Sequence, residues 1–149
     1  LSQPPNNYVL NFKECEAESV DFRKLNSEQI NSVIIAWATA WHSSHGGNEV
    51  ALAKNGMLIG VGGGPSTVDS CVTAIDRARN CGHDLSGSVF AADAFFPFID
   101  STQELVDAGC RFGLVPKGGK NFDQVVSFFA EHNSSILYLP DRFRGFCRH

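Results

Sequence analysis

The stretch E-V-A-L-A-K-N-G-M-L-I-G-V-G-G-G, residues 49–64, decides the fold class more than any other part of this sequence. Residues 49–54 alternate in the manner of a β-strand, and residues 57–61 are typical of a returning strand. The pair Asn55-Gly56 between them readily takes the positive φ angles of a two-residue hairpin turn. The sequence therefore predicts an antiparallel hairpin that runs into a glycine-rich loop.

On both sides of this hairpin, helical patterns alternate with short apolar strands. A helix is expected to begin at Asn26 or Ser27, because Asn26 and Gln29 have the spacing of a capping box. Ser101 and Glu104 have the same spacing and predict the start of a later helix. The other predicted elements are helices over residues 66–80 and 123–132 and strands over residues 88–92, 112–115 and 136–139. Helical crossovers between short strands predict an α/β sandwich with a mixed sheet, in which the hairpin strand lies antiparallel beside parallel neighbours.

Length and composition favour one globular domain. The 149 residues are 43% apolar and 19% charged, and we expect a lead-in over residues 1–26 before a single domain over residues 27–149. The net charge of -4 argues against a partner that is nucleic acid or a membrane surface. No apolar run approaches the ~20 residues that span a bilayer. The five cysteines include no CxxC pair, which predicts free thiols in a reducing, cytoplasmic location and no structural zinc.

The glycine loop is the first candidate site. A glycine-rich turn before a helix exposes backbone N–H groups that suit a phosphate or a carboxylate. Pro65 stands where a dinucleotide fingerprint has its third glycine, and no lysine precedes Ser66 as in a P-loop. A tight structural turn and a ligand cradle therefore both remain open for this loop. Its candidate residues are Gly62, Gly63, Gly64, Ser66 and Thr67.

The second candidate is D-A-F-F-P-F-I-D, residues 93–100. Such aromatics ordinarily belong to a core, but this run follows a buried strand and precedes a capped helix. Open α/β sheets bind ligands at that end of a strand. The Phe side chains could stack there on a flat heterocycle, and Asp100 could accept hydrogen bonds from its amino groups.

The C-terminal tail is the third candidate. Arg142, Arg144 and Arg148 fall within residues 142–149 and alternate with Phe143 and Phe146. A docked tail would present guanidinium groups, which bind phosphate in a bidentate manner. Solvated terminal charges explain the same pattern equally well.

Taken together, these segments resemble the C-terminal part of the transformylase domain in the AICAR transformylase/IMP cyclohydrolase family of purine biosynthesis. The similarity runs in order and spacing from about Ser27 to His149. It is carried by residues 47–64, V-D-S at 68–70, residues 93–100, P-K-G-G at 116–119 and a C-terminus that closes on Arg148-His149. The resemblance implies a cytidine-deaminase-like three-layer α/β/α sandwich with no zinc site.

The resemblance also implies a reaction and a set of site residues. In the family, a formyl group passes from formyl-tetrahydrofolate to the amine of aminoimidazole carboxamide ribonucleotide, at active sites on a dimer interface. By position, Asn48 would contact the nucleotide near the reacting amine and be catalytic, and Val68 would lie on the folate side. The other expected substrate contacts are Phe95, Phe96, Pro97, Phe98, Asp100 and, at the nucleotide phosphate, Arg142 or Arg144.

The sequence also departs from the family pattern. The catalytic Lys-His pair of the family lies in a half-domain that has no counterpart here. Pro65-Ser66-Thr67 stands where the family has Gln-x-Ser-Arg, and Gly119 replaces a loop serine. Three hypotheses follow: a transformylase unit completed by a homodimer or a partner half-domain, a nucleotide- or folate-binding module without catalysis, and a structural domain that associates through apolar faces.

Overall fold

The computed structural model describes residues 9–17, 25–43, 47–140 and 143 of the chain. A 3-10 turn, Phe12–Glu14, precedes the edge strand β1, Glu16–Ala17. The elements that follow are α1 (Ser27–His42), β2 (Val50–Lys54), β3 (Met57–Gly62), α2 (Thr67–Asn80), β4 (Val89–Ala92), α3 (Ile99–Asp107), β5 (Phe112–Pro116), α4 (Phe122–Glu131) and β6 (Ser135–Leu139). The alternation of helices and strands predicted from the sequence is confirmed.

Two local signals act as the sequence predicts. The Asn26 side chain accepts from the backbone N–H of Gln29 at 2.8 Å, and the Gln29 side chain accepts from the backbone N–H of Asn26 at 3.1 Å. This reciprocal cap starts α1 at Ser27. Asn55 and Gly56 have φ angles of 53° and 68°, which close the β2–β3 hairpin with the twist that its strands require.

The sheet is mixed, with strand order β1-β6-β5-β4-β2-β3. Strands β4, β5 and β6 run parallel, whereas β2 is antiparallel to both β3 and β4. The register pairs Val50, the first residue of β2, with Ala92, the last residue of β4. The start of β2 therefore lies at the same edge of the sheet as the carboxyl ends of β4 and β5.

Helices cover both faces of the sheet because side chains alternate along each strand. Ala51 and Ala53 pack under α1 with Val33 and Trp37 of that helix. The side chains on the opposite face of the sheet join the core formed with α2, α3 and α4; they include Val50, Leu52, Phe90, Val115 and Tyr138. The result is a three-layer α/β/α sandwich with one helix on one face and three on the other among the described residues.

Two glycines of β3 allow α2 to lie very close to the sheet. A Cβ at Gly60 would collide with the backbone carbonyl of Ala74, and one at Gly62 with the backbone carbonyl of Ser70. These two positions therefore serve the packing of strand against helix. Close packing against α2 therefore explains why glycine stands at positions 60 and 62. The part of the glycine loop that can face a ligand begins after Gly62.

The structure differs from the sequence predictions at two elements. Within the expected lead-in, Glu16–Ala17 pair with Tyr138 and Leu137 of β6 and extend the sheet. The helix α3 begins at Ile99 rather than at Ser101, so the predicted Ser101–Glu104 capping box is wrong. Ser101 is instead buried within the helix, and the Phe98 N-cap supplies no side-chain hydrogen bond.

The described cysteines agree with the prediction of free thiols. Cys15, Cys71, Cys81 and Cys110 are free, and Cys147 lies outside the described residues. In the ranges that the structure describes, no group of three or more His, Cys, Asp or Glu side chains could hold a metal ion. The described helices also include none that is long and apolar enough to cross a bilayer.

Candidate functional site

A cavity of about 550 Å³ opens at the sheet edge where β4 and β5 end and β2 begins. Four chain segments meet there: the approach to β2, the start of α2, the loop after β4 and the loop after β5. The lining residues are Asn48, Glu49, Thr67, Ala92, Asp93, Ala94, Phe95, Pro97, Phe98, Gly118, Gly119, Lys120 and Asn121.

Asn48 holds two of these segments together. Its Nδ2 donates to the carbonyl of Gly64 at 2.9 Å, and the Thr67 hydroxyl donates to its Oδ1 at 3.2 Å. The backbone N–H of Gly64 in turn donates to the carbonyl of Gly47 at 3.0 Å. Asn48 has φ 53°, a left-handed conformation that Asn tolerates better than most residues. The amide is therefore fixed in orientation before any ligand arrives.

Aromatic side chains form one wall and the mouth of the cavity. Phe95 is 8% exposed and packs against Phe122 and Tyr138, with ring centroids 4.8 Å and 6.2 Å away. Phe98 is 62% exposed, so its ring is free to meet a ligand or a partner surface. Asn121 Nδ2 donates to the Pro97 carbonyl at 2.7 Å and ties the loop after β4 to the loop after β5.

A pair of buried carboxyl groups lies at the inner end of the cavity. Glu49 and Asp93 are 0% and 3% exposed, and the backbone N–H of Asp93 donates to the Glu49 carbonyl at 3.1 Å. The Glu49 side chain also accepts from the backbone N–H of Gly47 at 3.3 Å. Burial raises the pKa of Asp93 to about 8, and its hydrogen bond to the Glu49 side chain and the Glu49 charge add to the effect.

The loop after β5 supplies a cation and two glycines. Gly118 and Gly119 have φ angles of 140° and 107°, and a Cβ at Gly119 would lie 3.4 Å from the Phe95 ring. Lys120 follows them, is exposed and lines the cavity. Lys117 is directed elsewhere, to Glu16 at 2.6 Å and over the Phe122 ring. The charged groups that line the cavity in the described chain are thus Glu49, Asp93 and Lys120.

The structure brings five of the predicted site residues to this cavity: Asn48, Thr67, Phe95, Pro97 and Phe98. The other predicted site residues that the structure describes do not line the cavity. Phe96 is fully buried in the core between Phe90 and Phe129. Asp100 is exposed in the first turn of α3, where the helix dipole stabilises a negative charge.

Most of the glycine loop also lies away from the lining. Gly62 is packed under α2, and Ser66 caps that helix by accepting from the backbone N–H of Asp69 at 3.3 Å. Gly63, Gly64 and Val68 are half-buried without lining the cavity. The glycine loop therefore contributes to the cavity through Thr67 and through the carbonyl that fixes Asn48.

The predicted phosphate ligands Arg142 and Arg144 lie outside the described residues, so their placement stays a prediction. The residue between them is described. The Phe143 carbonyl accepts from Trp41 Nε1 at 3.1 Å, and its N–H donates to the Pro140 carbonyl at 2.9 Å. Phe143 also packs against the core under α1.

The predicted site residues leave out eight of the lining residues, among them the polar side chains of Glu49, Asp93, Lys120 and Asn121. For Glu49 a signal was present, because an acid stands immediately before one buried strand and Asp93 stands immediately after another. Their proximity depends on the antiparallel register of β2 and β4, which the sequence does not specify. Lys120 and Asn121 lie in a polar loop whose path carries no periodic pattern.

Comparison with known proteins adds a sequence relationship. No protein-family model matches the chain. The chain is 34% identical over 117 residues to the bifunctional purine biosynthesis protein PurH of Aquifex aeolicus, covering 78% of the chain and 23% of that protein. PurH of Polynucleobacter asymbioticus is 32% identical over 143 residues, covering 95% and 26%. The chain is similar to PurH.

This similarity confirms the resemblance to AICAR transformylase/IMP cyclohydrolase that the motifs indicated. The chain spans about a quarter of the length of the PurH relatives that it matches.

Two solved structures show the fold. A diaminohydroxyphosphoribosylaminopyrimidine deaminase/5-amino-6-(5-phosphoribosylamino)uracil reductase from Thermotoga maritima matches with TM-score 0.50 and 18% identity over 74% of the chain and 36% of its own length. RibD of Acinetobacter baumannii matches with TM-score 0.51 and 14% identity over 79% and 38%. At these identities the likeness concerns the fold alone, and it confirms the predicted cytidine-deaminase-like α/β/α sandwich.

Proposed function

We propose that the cavity binds aminoimidazole carboxamide ribonucleotide and formyl-tetrahydrofolate, and that the chain forms part of a formyl-transfer site in purine biosynthesis. The observation that carries the proposal is a convergence. Three separate parts of the chain that were singled out as site candidates line one cavity, and their residues there are Asn48, Thr67, Phe95, Pro97 and Phe98. The similarity to PurH supports the same assignment.

The cavity has the physical character that such ligands require. Its volume of about 550 Å³ lies within the ~300–1,000 Å³ typical of small-molecule sites. Phe95, Pro97 and Phe98 offer apolar contact to a flat heterocycle, while Asn48 and Thr67 offer fixed polar atoms. Lys120 offers a positive charge for an anionic group.

Formyl transfer joins the amine nitrogen to the formyl carbon and breaks the bond between that carbon and the folate nitrogen. The amine loses a proton and the folate nitrogen gains one, so a proton acceptor must lie close by. We assign Asn48 and the aromatic wall to holding the reactants in register. The Lys-His pair would come from a second unit, either a partner half-domain or another subunit, as the family resemblance implies.

Titration calorimetry with each ligand tests the binding proposal. Phe98→Ala removes an exposed ring at the cavity mouth and leaves the core intact, so we expect roughly tenfold weaker binding from lost stacking. Met57→Ala is the matched control, because Met57 is 50% exposed on β3 and does not line this cavity. Equal affinity in the wild type and both variants, or no binding to either ligand, would sink the proposal.

A binding module without catalysis is the second candidate. It is favoured because the Nδ2 and Oδ1 atoms of Asn48 each already take part in a hydrogen bond within the chain. A formyl-transfer assay of the chain alone and with a Lys-His half supplied separately decides between the two. Ligand binding without turnover in every combination would favour the binding module.

A further inference from the structure

The Glu49–Asp93 carboxyl pair is the feature of the cavity to which neither the sequence patterns nor the proposed function assigns a role. The two residues stand directly opposite each other, because Val50 pairs with Ala92 and the strands are antiparallel. Side chains directly opposite in such a pair have Cβ atoms ~4.5–5.5 Å apart, and like charges there are destabilising. Both side chains are almost fully buried, so water does little to screen them.

Two hydrogen-bonded carboxyl groups must hold a proton between them, since an ionised carboxylate only accepts. Asp93 and Glu49 are joined in this way, and burial, the hydrogen bond and the Glu49 charge together raise the pKa of Asp93. The pair then carries one negative charge while the proton is held and two after it is lost.

We infer that Glu49 is a positioning residue that acts through Asp93, and that the proton shared by the pair sets whether the cavity accepts an anionic ligand. The inference rests on the proposed function of the cavity. With the proton in place, an anion meets one negative charge at the inner end of the cavity and the Lys120 cation at its edge. Without it, the anion meets a second negative charge in a site of low dielectric.

The other groups around Asp93 do not explain a titration at this place. Glu49, in the approach to β2, is the charged side chain that raises the pKa of Asp93. The loop after β5 contributes Lys120, α2 contributes Thr67, and the loop after β4 contributes Phe95 and Phe98. Among these lining groups of the described chain, the carboxyl pair is the one whose charge is expected to change near pH 8.

The first measurement follows the pair in the free protein by NMR of carboxyl ¹³C labels. We expect the Asp93 carbon to titrate near pH 8, and the step to move to lower pH in Glu49→Gln. Glu131→Gln is the matched control, because Glu131 is exposed at the end of α4 and should leave the step unchanged. An Asp93 carboxyl that titrates in its ordinary range near ~4 would overturn the inference.

The second measurement is calorimetry with aminoimidazole carboxamide ribonucleotide at pH 7 and pH 9.5. The second phosphate pKa is ~6, so the charge of the ligand changes by only about a tenth of a unit over this interval. We expect roughly three- to thirtyfold weaker binding at the higher pH in the wild type, and less than about a twofold change in Glu49→Gln. The riboside that lacks the phosphate should show the smaller change in both proteins.

The two measurements separate the possible failures. Affinity for the ribonucleotide that falls equally in wild type and Glu49→Gln would overturn the role of the pair. Absence of binding at either pH, beside an Asp93 step near pH 8, would contradict the proposed function and the ligand part of this inference, while the shared proton would stand.

Discussion

At the scale of single residues, Asn48 carries more structure than its place in a motif indicates. Its left-handed backbone, its bond to the Gly64 carbonyl and its bond from Thr67 fix the junction between β2 and the glycine loop. The family resemblance implied that Asn48 contacts a ligand, and the structure shows that Asn48 also orients the loop. Effects of changing Asn48 will therefore combine stability with binding.

Asn48→Ala should lower the free energy of unfolding by about 2–3 kcal/mol, from ~1 kcal/mol for an alanine at positive φ and ~1 kcal/mol for each lost hydrogen bond. Asn55→Ala is the matched control, since Asn55 also has φ 53° but is exposed in the hairpin turn. It should lose only ~1 kcal/mol. Urea unfolding measures both, and equal losses would contradict the role given to the Asn48 side chain.

Asp93 should make stability depend on pH in the direction opposite to an ordinary paired carboxylate. Its pKa is ~4 in the unfolded chain and about 8 in the folded one, so between these values the folded state holds the extra proton. Stability then falls as the pH rises from ~4 to ~8, by at most ~1.4 kcal/mol per pH unit from this group. Above pH ~8 its contribution is constant.

Asp93→Asn removes the titrating carboxyl group, so stability should depend less on pH between ~4 and ~8. Thermal or urea unfolding at pH 5, 6, 7 and 8 compares it with the wild type and with Asp76→Asn, an exposed acid on α2. The wild type and Asp76→Asn should lose stability more steeply than Asp93→Asn. Parallel profiles for all three proteins would show that Asp93 is not protonated in the fold.

At the scale of elements, local signals predicted what local interactions determine. The Asn26–Gln29 cap and the Asn55-Gly56 turn act within a few residues, and both were predicted correctly. The α3 start was wrong because the backbone turns into a helix directly after Phe98, which places Ser101 in the interior. The edge strand Glu16–Ala17 was missed because it pairs with β6, more than a hundred residues later, and two residues carry no pattern.

The difference between local interactions and long-range pairing also explains which site residues were predicted. Sequence patterns found the aromatic run, and the family resemblance implied Asn48, but neither found the Glu49–Asp93 pair. That pair exists because β2 and β4 are neighbours with a particular register. Register between strands separated by a helix is a property of packing, which one sequence does not reveal.

The close contact between α2 and β3 leaves no room for a side chain at Gly62. Gly62→Ala places a methyl group against the Ser70 carbonyl and should cost about 3 kcal/mol or more, because α2 must move away from the sheet. Gly56→Ala is the control: it has φ 68° but open space around its Cβ, so only ~1 kcal/mol of backbone strain is expected. Chemical denaturation compares the two, and a Gly62→Ala as mild as Gly56→Ala would contradict the close packing.

At the scale of the whole molecule, the antiparallel strand β2 creates the cavity. It brings the residues before β2 to the edge where the parallel strands β4 and β5 end, and α2 starts beside them. Four loops and helix starts therefore surround one space, although the motif residues are up to fifty positions apart. The fold is shared with deaminase-type proteins, and the function depends on what these loops bind.

The most direct measurement is an NMR titration of the ¹⁵N-labelled chain with aminoimidazole carboxamide ribonucleotide at pH 7. The account predicts saturable shifts of the amide signals of Asn48, Thr67, Phe98 and Gly119, which lie in four separate segments around the cavity. Signals of the exposed β2–β3 turn, Asn55 and Gly56, should stay unchanged. Absence of saturable shifts, or shifts centred away from these four segments, would contradict it.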